Sequence, residues 1–400
     1  MRMDVNDAIS LYIHIPFCEQ KCGYCDFNSY SGLEGLMSPY VKALCRELAI
    51  WSDALGRPQV VTVYFGGGTP SLLPLPLLEQ VMEAVQRGFR CDGLREVSLE
   101  ANPGTVDLTY LRGLRALGIN RLSLGVQSFH DGELRLLGRV HSARQAEEAY
   151  AWARKAGFEN VNLDLIFGIP GQGIARWRKN LRKAVTLGPE HLSLYALTVE
   201  EGTLLAHQVA RGEVPAPDPD LQAEMYEWAQ VAMAQAGYEH YEISNWALPG
   251  RRCLHNLAYW RMLPYLGVGA GAHSCLWDGE RYYRFWNVYS PRRYVKAVDG
   301  ASPDFPSHLR AFLGCLPFIG GVEEGGPREA LAEAVMLGLR LLEGIDMDQV
   351  QSRFGQDIRE RYGATIDELS SLGLLLVEDH RLRLSQRGLL LGSEVMVRFL

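Results

Sequence analysis

From residue 11 to about residue 237 one pattern returns six times: a short apolar strand, a turn rich in Gly, Pro or Asn, then an amphipathic helix. No other feature limits the fold as much. A strand and its parallel neighbour need a crossover long enough to hold a helix, and strand spacings of roughly thirty to fifty residues supply one. The strands read as Leu11–Ile15, Val60–Phe65, Glu96–Glu100, Leu122–Val126, Val161–Phe167 and His191–Leu197. Helical periods fill the gaps: after Ser38-Pro39, apolar residues fall at Val41, Leu44, Leu48, Trp51 and Leu55, in steps of three and four. A later helix opens on Ser142 with Gln145 three positions on, a capping box, and stops at Gly157. Such units build an open doubly wound sheet or a barrel, and both gather chemistry at the carboxyl ends of the strands.

The unusual residues sit at those ends. Cys18, Cys22 and Cys25 follow the first strand, Gly66-Gly67-Gly68-Thr69-Pro70 the second, and Glu100 and Asn102-Pro103 the third. Gly125 and Gln127 end the fourth strand, and Asp164 lies in the fifth. The cysteine spacing, C-x3-C-x2-C, puts three soft ligands within eight residues. Structural zinc is four-coordinate and closed, whereas three protein thiolates leave one position of a metal centre open. The competing use is a zinc knuckle completed by His14 or Asp26, although a loop without a second ligand pair makes a poor zinc ribbon. Consecutive glycines let a backbone come within hydrogen-bonding distance of a ligand, and a carboxylate such as Glu100 can accept from hydroxyls or an ammonium.

The chain is 400 residues long, 47% hydrophobic and 22% charged, which suits one large globular domain and a smaller one. Its net charge of -7 gives no general attraction for phosphate backbones, so nucleic acid is not an expected partner. MRMDVNDAIS carries no leader pattern, and nowhere do eighteen apolar residues run together; the expectation is a cytoplasmic protein that does not span a membrane. Cys45, Cys91, Cys253, Cys275 and Cys315 are scattered singly, as reduced thiols are.

The cysteine loop resembles that of the radical S-adenosylmethionine (SAM) superfamily, and the resemblance covers about the first 240 residues. It implies a partial (β/α)6 barrel, a 4Fe-4S cluster held by Cys18, Cys22 and Cys25, and SAM chelated to the fourth iron. The segments LYIHIPFC, GGGTPS, SLGVQSF, DLIFGIPGQ and LGVGAGAHS resemble the HemN-like group of that superfamily, which contains oxygen-independent coproporphyrinogen III oxidase and haem chaperones. Matched position by position, this implies SAM contacts at Tyr12, Tyr24, Gly67, Gly68, Thr69, Glu100, Gln127, Arg139, Asp164 and Ala196, some of which belong to a second SAM in the oxidase. Gly267, Gly269 and Gly271 lack the GxGxxG spacing of a dinucleotide site.

Within the group, His255-Asn256-Leu-Ala-Tyr259-Trp260 is similar to the HNxxYW motif of the chaperones, which implies haem ligated by His255 and delivery to haem-dependent acceptor proteins, respiratory and membrane-associated ones among them. Histidine is a common axial ligand of haem iron, yet a histidine four residues before a tyrosine also fits a structural helix face. The oxidase carries a further cysteine where this chain has Phe27, and a longer segment before the trio than the seventeen residues here, so porphyrinogen decarboxylation is the second expectation. The domains read as 1–240 for the barrel, 241–320 for an extension bearing HNLAYW, and 321–400 for a unit resembling a winged helix. GGVEEGGP at 320–327 reads as the break between the last two, followed by helices at Glu329–Leu342, Met347–Phe354 and Ile358–Leu372 and a hairpin of Leu374–Val377 and Leu382–Leu384. From Arg328 to Leu400 nine Arg and no Lys face twelve Asp and Glu, a balance of -3. A DNA-reading wing would be basic, so docking or covering is the expected role.

Overall fold

A computed structural model describes residues 8–279, 281–301 and 308–400; the N-terminal stretch read above for a leader lies outside them up to residue 7. Six strands run parallel in chain order: β1 (Ile9–Ile15), β2 (Val60–Gly67), β3 (Glu96–Ala101), β4 (Arg121–Gln127), β5 (Val161–Phe167) and β6 (His191–Ala196). Helices fill the crossovers, the first at Met37–Leu55, as the apolar spacing requires. The fold is a partial (β/α)6 barrel, extended at both edges. Beyond β6 lie β7 (Glu239–Glu242) and β8 (Asn245–Ala247). Beyond β1 lie β9 (Tyr265–Val268), parallel to it, and the antiparallel β10 (His273–Trp277), β11 (Tyr282–Asn287) and β12 (Ile319–Gly325).

The strands present two different faces. Leu11, Ile13, Val63, Phe65, Leu99, Leu122, Leu124, Leu163, Leu165 and Leu192 are 0% exposed and pack outward against the helices. Each such side chain contributes about 1.5–3 kcal/mol by leaving water. The alternate residues point inward and are polar: Tyr12, Thr62 and Tyr64, then Glu96, Ser98 and Glu100, then Arg121 and Ser123, then Asn162, Asp164, His191 and Ser193. Parallel strands covered on both faces are usually apolar throughout, so this alternation marks an interior built to hold polar contacts. The helix Leu254–Trp260 closes the amino end of the interior, with Glu96 accepting the backbone N–H groups of Leu254 at 2.8 Å and His255 at 3.2 Å.

One expectation is corrected by the strands. GGVEEGGP is not a break: Ile319–Gly325 is edge strand β12, paired with β11. Its glycines serve packing, because a Cβ on Gly321 would lie 2.2 Å from the Trp286 indole across the ladder. The C-terminal unit therefore begins at the helix Pro327–Gly338. The segment LGVGAG opens in β9. The C-terminal unit has its own core around Leu331, Val335, Ile358, Ile366 and Leu382, with helices Met347–Phe354 and Ile358–Ser371 beside a three-stranded sheet of Ile345–Asp346, Leu375–Glu378 and Arg381–Leu384. It also carries short helices at Gln386–Leu390 and Gly392–Met396 that the sequence reading lacked. It docks on the barrel through Arg340, whose guanidinium lies 4.3 Å from the Trp260 ring centre and 3.3 Å from the Glu242 carboxylate.

Candidate functional site

Cys18, Cys22 and Cys25 sit on the loop that leaves β1, where the chain stops pairing as a strand and turns back through backbone bonds from Cys18 N–H to Tyr30 and from Cys25 N–H to Cys22. All three line a cavity of about 370 Å³ at the carboxyl ends of the strands. The same cavity takes Tyr24, Gly67, Gly68, Thr69, Glu100, Gln127, Arg139, Asp164 and Ala196. Twelve of the fourteen residues singled out in the sequence thus meet in one place, drawn from six strand ends.

Local chemistry holds the loop. Arg139 donates to the Cys22 sulfur at 3.4 Å and to the Gly125 carbonyl at 2.8 Å, and the Thr69 hydroxyl points at the Cys18 sulfur at 3.6 Å. Burial pulls Arg139 down, but the Tyr24 phenol and the Cys22 thiol outweigh it and leave the guanidinium above its usual range. Burial pushes the Cys25 thiol up. Gly67 has φ of 117°, open to glycine at no cost, and a Cβ on Gly68 would come 2.7 Å from the Phe17 carbonyl and 3.1 Å from the Cys18 sulfur. The GGG segment is therefore fitted against the cysteine loop. Gln127 also has positive φ, 63°, at an irregularity in the β4–β5 register; strain of this kind collects at functional sites.

Glu100 accepts from the Tyr64 hydroxyl at 2.8 Å and the Gly67 N–H at 3.2 Å. Burial, with the Asp164 carboxylate adding to it, raises its pKa to about 7. Asp164 accepts from Ser123 at 3.0 Å and Asn162 at 2.8 Å, and burial raises it as well. Tyr64, Arg121, Ser123, Asn162, Ser193 and Asn256 line the cavity too and were missed. The polar alternation along each strand was the available signal.

The two remaining residues lie elsewhere. Tyr12 faces a second cavity, of about 500 Å³, between β1 and the β9–β11 extension, and the two cavities share Phe27, Gly67 and Glu100. His255 is 0% exposed and lines neither cavity. Its Nδ1 is 2.8 Å from the Thr62 hydroxyl, its Nε2 is 2.8 Å from the Tyr259 hydroxyl, and its ring stacks on Tyr64 at 5.0 Å. Burial lowers its pKa to about 3, so the ring is neutral with both nitrogens engaged. The open imidazole expected from the motif is not the conformation found: Tyr259 stands between the ring and the second cavity.

Three thiols on one loop leave a metal centre one ligand short of closed structural zinc, as an open polynuclear centre requires. A profile of the radical SAM superfamily matches residues 12–184, and one of the HemN C-terminal domain matches 327–391. "Heme chaperone HemW" of Synechocystis sp. is 43% identical over 349 residues, 85% of this chain and 80% of its own length. The protein of the same name from Mycobacterium tuberculosis is 40% identical over 96% of this chain and 93% of its own length. The chain belongs to the HemW family of radical SAM proteins. Membership implies a 4Fe-4S cluster and SAM. This HemW-family chain is also 36% identical, over 98% of its length and 87% of the other, to mouse "Radical S-adenosyl methionine domain-containing protein 1, mitochondrial". Its fold superposes on Escherichia coli coproporphyrinogen III oxidase with a TM-score of 0.81 at 23% identity, covering 99% of this chain and 90% of that one.

Proposed function

We propose that this chain is a haem chaperone of the cytoplasm, holding haem beside a SAM-ligated 4Fe-4S cluster and passing it to acceptor haem proteins. The observation that carries the reading is the pairing of two adjoining cavities, one lined by the cysteine trio and the other by aromatic rings, in a chain 40–43% identical to HemW proteins. In this reading Cys18, Cys22 and Cys25 hold three irons. Tyr24, Gly67, Gly68, Thr69, Glu100, Gln127, Arg139, Asp164 and Ala196 surround SAM. When bound, the cluster supplies an electron to the sulfonium of SAM. Arg139 and Thr69 orient the thiolates, the GGG segment brings backbone N–H groups close, and Glu100 and Asp164 offer negative charge to a cation.

Phe27 supports delivery over porphyrinogen chemistry. It stands where the oxidase has a further cysteine, and it is 65% exposed on the rim that both cavities share. Among the described residues no helix is long and apolar enough to cross a membrane. The test uses the cluster-reconstituted chain loaded with haem and mixed with an apo haem protein. Transfer faster than from free haem, with no conversion of coproporphyrinogen III under anaerobic reducing conditions, is the expected result. Accumulation of protoporphyrinogen IX above a no-protein control reverses the ranking in favour of the oxidase.

A further inference from the structure

The aromatic cavity carries charge at its two ends. Among the described residues that line it, Glu100 on β3 is the one acid and Arg284 on β11 the one permanent cation, and β10, β9, β1 and β2 lie between them in the sheet. The other polar groups on the wall are neutral. Burial lowers His14 to about 4, and burial with Arg284 lowers His273 as well. Burial pushes the Cys275 thiol up to about 11 and the Tyr265 phenol to about 12, with Tyr12 and Tyr259 higher still. Asn28 and Tyr289 offer an amide and a phenol. Glu100, already bonded to Tyr64 and to the Gly67 N–H, gives a ligand carboxylate nothing to bind.

Arg284 is held, not loose. Its Nε donates to Glu333 Oε2 at 2.8 Å and its Nη2 to the same oxygen, while the Tyr282 hydroxyl donates to Oε1 at 2.6 Å. Burial works against the guanidinium charge, but Glu333 and the Tyr265 phenol outweigh it and leave Arg284 above its usual range. Glu333 stands on the helix Pro327–Gly338 of the C-terminal unit, and Leu337, one turn on, forms part of the cavity wall. A guanidinium is a planar fork of N–H donors that matches a carboxylate. Glu333 sets a single oxygen against one edge of it, which aims the fork and leaves donors for a second carboxylate.

Resting on the haem-chaperone reading, we propose that Arg284 is the specificity-determining residue of the aromatic cavity, taking a propionate carboxylate of the porphyrin while Glu333 of the C-terminal unit positions it. The carboxylate edge of the ring is thereby drawn to the β11 side, away from Glu100, and the apolar remainder lies among the aromatic walls. Because Glu333 competes for the same guanidinium, the C-terminal unit sets how strongly the ligand carboxylate is held.

The test titrates hemin and hemin dimethyl ester, which lacks the carboxylate charges, separately into the full, cluster-reconstituted chain, following the Soret band. Wild type should hold hemin roughly tenfold or more tighter than the ester, the worth of a charge-assisted hydrogen bond. Arg284→Gln should bring hemin down to the ester's affinity and leave the ester where it was. Glu333→Gln removes the competing charge but keeps a hydrogen-bonding group, so it should widen the preference for hemin. An ion pair that served only folding would make the two variants alike, each weakening both ligands together, and that outcome overturns the proposal. Equal wild-type affinity for hemin and ester overturns it without recourse to any variant, and a wild-type preference surviving in Arg284→Gln overturns the residue assignment. Failure of the wild-type chain to bind either ligand overturns the chaperone reading itself and this proposal with it.

Discussion

Replacing His255 with alanine separates a structural imidazole from an iron ligand. The ring is fully buried, bonded at 2.8 Å to both Thr62 and Tyr259, and stacked on Tyr64. Its removal strands the Thr62 hydroxyl, which is 1% exposed, at about 1–3 kcal/mol for an unpaired buried group. Tyr259 faces the second cavity, where water can replace its lost bond at little expense. The ring-sized void adds about 2 kcal/mol at ~24 cal/mol per Å³. The sum is about 4 kcal/mol, large against a native stability of about 5–15 kcal/mol. For a chain of 400 residues that lowers the melting temperature by about 5 °C. Thermal unfolding of the apo chains by circular dichroism measures it, and Tyr259→Phe should give a much smaller drop. A His255→Ala variant that melts within about 2 °C of wild type yet has lost the Soret band of bound haem would refute this reasoning and restore His255 as the ligand.

Cys22→Ala should abolish the cluster, read as labile iron and sulfide, while moving the melting temperature by under about 2 °C, because the half-buried loop side chain contributes little to the core. Gly68→Ala should lower cluster content and SAM affinity together, since its Cβ meets the Phe17 carbonyl at 2.7 Å and the Cys18 sulfur at 3.1 Å; unchanged affinity by equilibrium dialysis would count against the fitted-loop account. SAM affinity should rise with pH through about 7 and level above it, because Glu100, with a pKa of about 7, is protonated below that pH and would offer a carboxylate charge to cationic SAM above it. Glu100→Gln should flatten this profile, and an unaltered slope in the variant would assign the titration to another group, Asp164 first.

Much of the barrel was legible because its signals are local. Apolar runs, Gly and Pro punctuation and the capping box at Ser142 each state a structure within a few residues, and the structure contains that box with Gln145. The site at the strand ends was legible because the β-α repeat places all such ends together, whatever the details of each loop. The extension was not. β9 is only four residues long and β12 is glycine-rich, and their glycines answer to groups outside their own strand, as Gly321 answers to Trp286 and Gly267 to the His273 carbonyl. The environment of His255 was also out of reach, since Thr62, its Nδ1 partner, stands 193 residues earlier. A motif supplies residue types; whether an imidazole faces a cavity or a hydroxyl is decided by the strand it packs on.

The same strand pattern explains why the HNLAYW segment must sit where it does. A barrel interior lined by Glu96, Glu100, Arg121, Asn162 and Asp164 has lost water from several charged groups, and each costs free energy unless it is paired. Toward the open end a ligand or water can supply partners. At the closed end only protein can, and the first turn of Leu254–Trp260 does so: its free N–H groups, at the positive end of the helix, meet the Glu96 carboxylate from below. The Cys253 thiol adds a donor at 3.5 Å, and Arg121 supplies the opposing charge from the neighbouring strand. Once that turn is fixed, His255 one residue on is carried against Thr62 and Tyr64, and Tyr259 one turn later becomes the wall of the second cavity. The histidine and the tyrosine of the motif are thus tied to the polar floor of one cavity and the aromatic side of the other, so a change at the floor reaches the second cavity through a single helical turn.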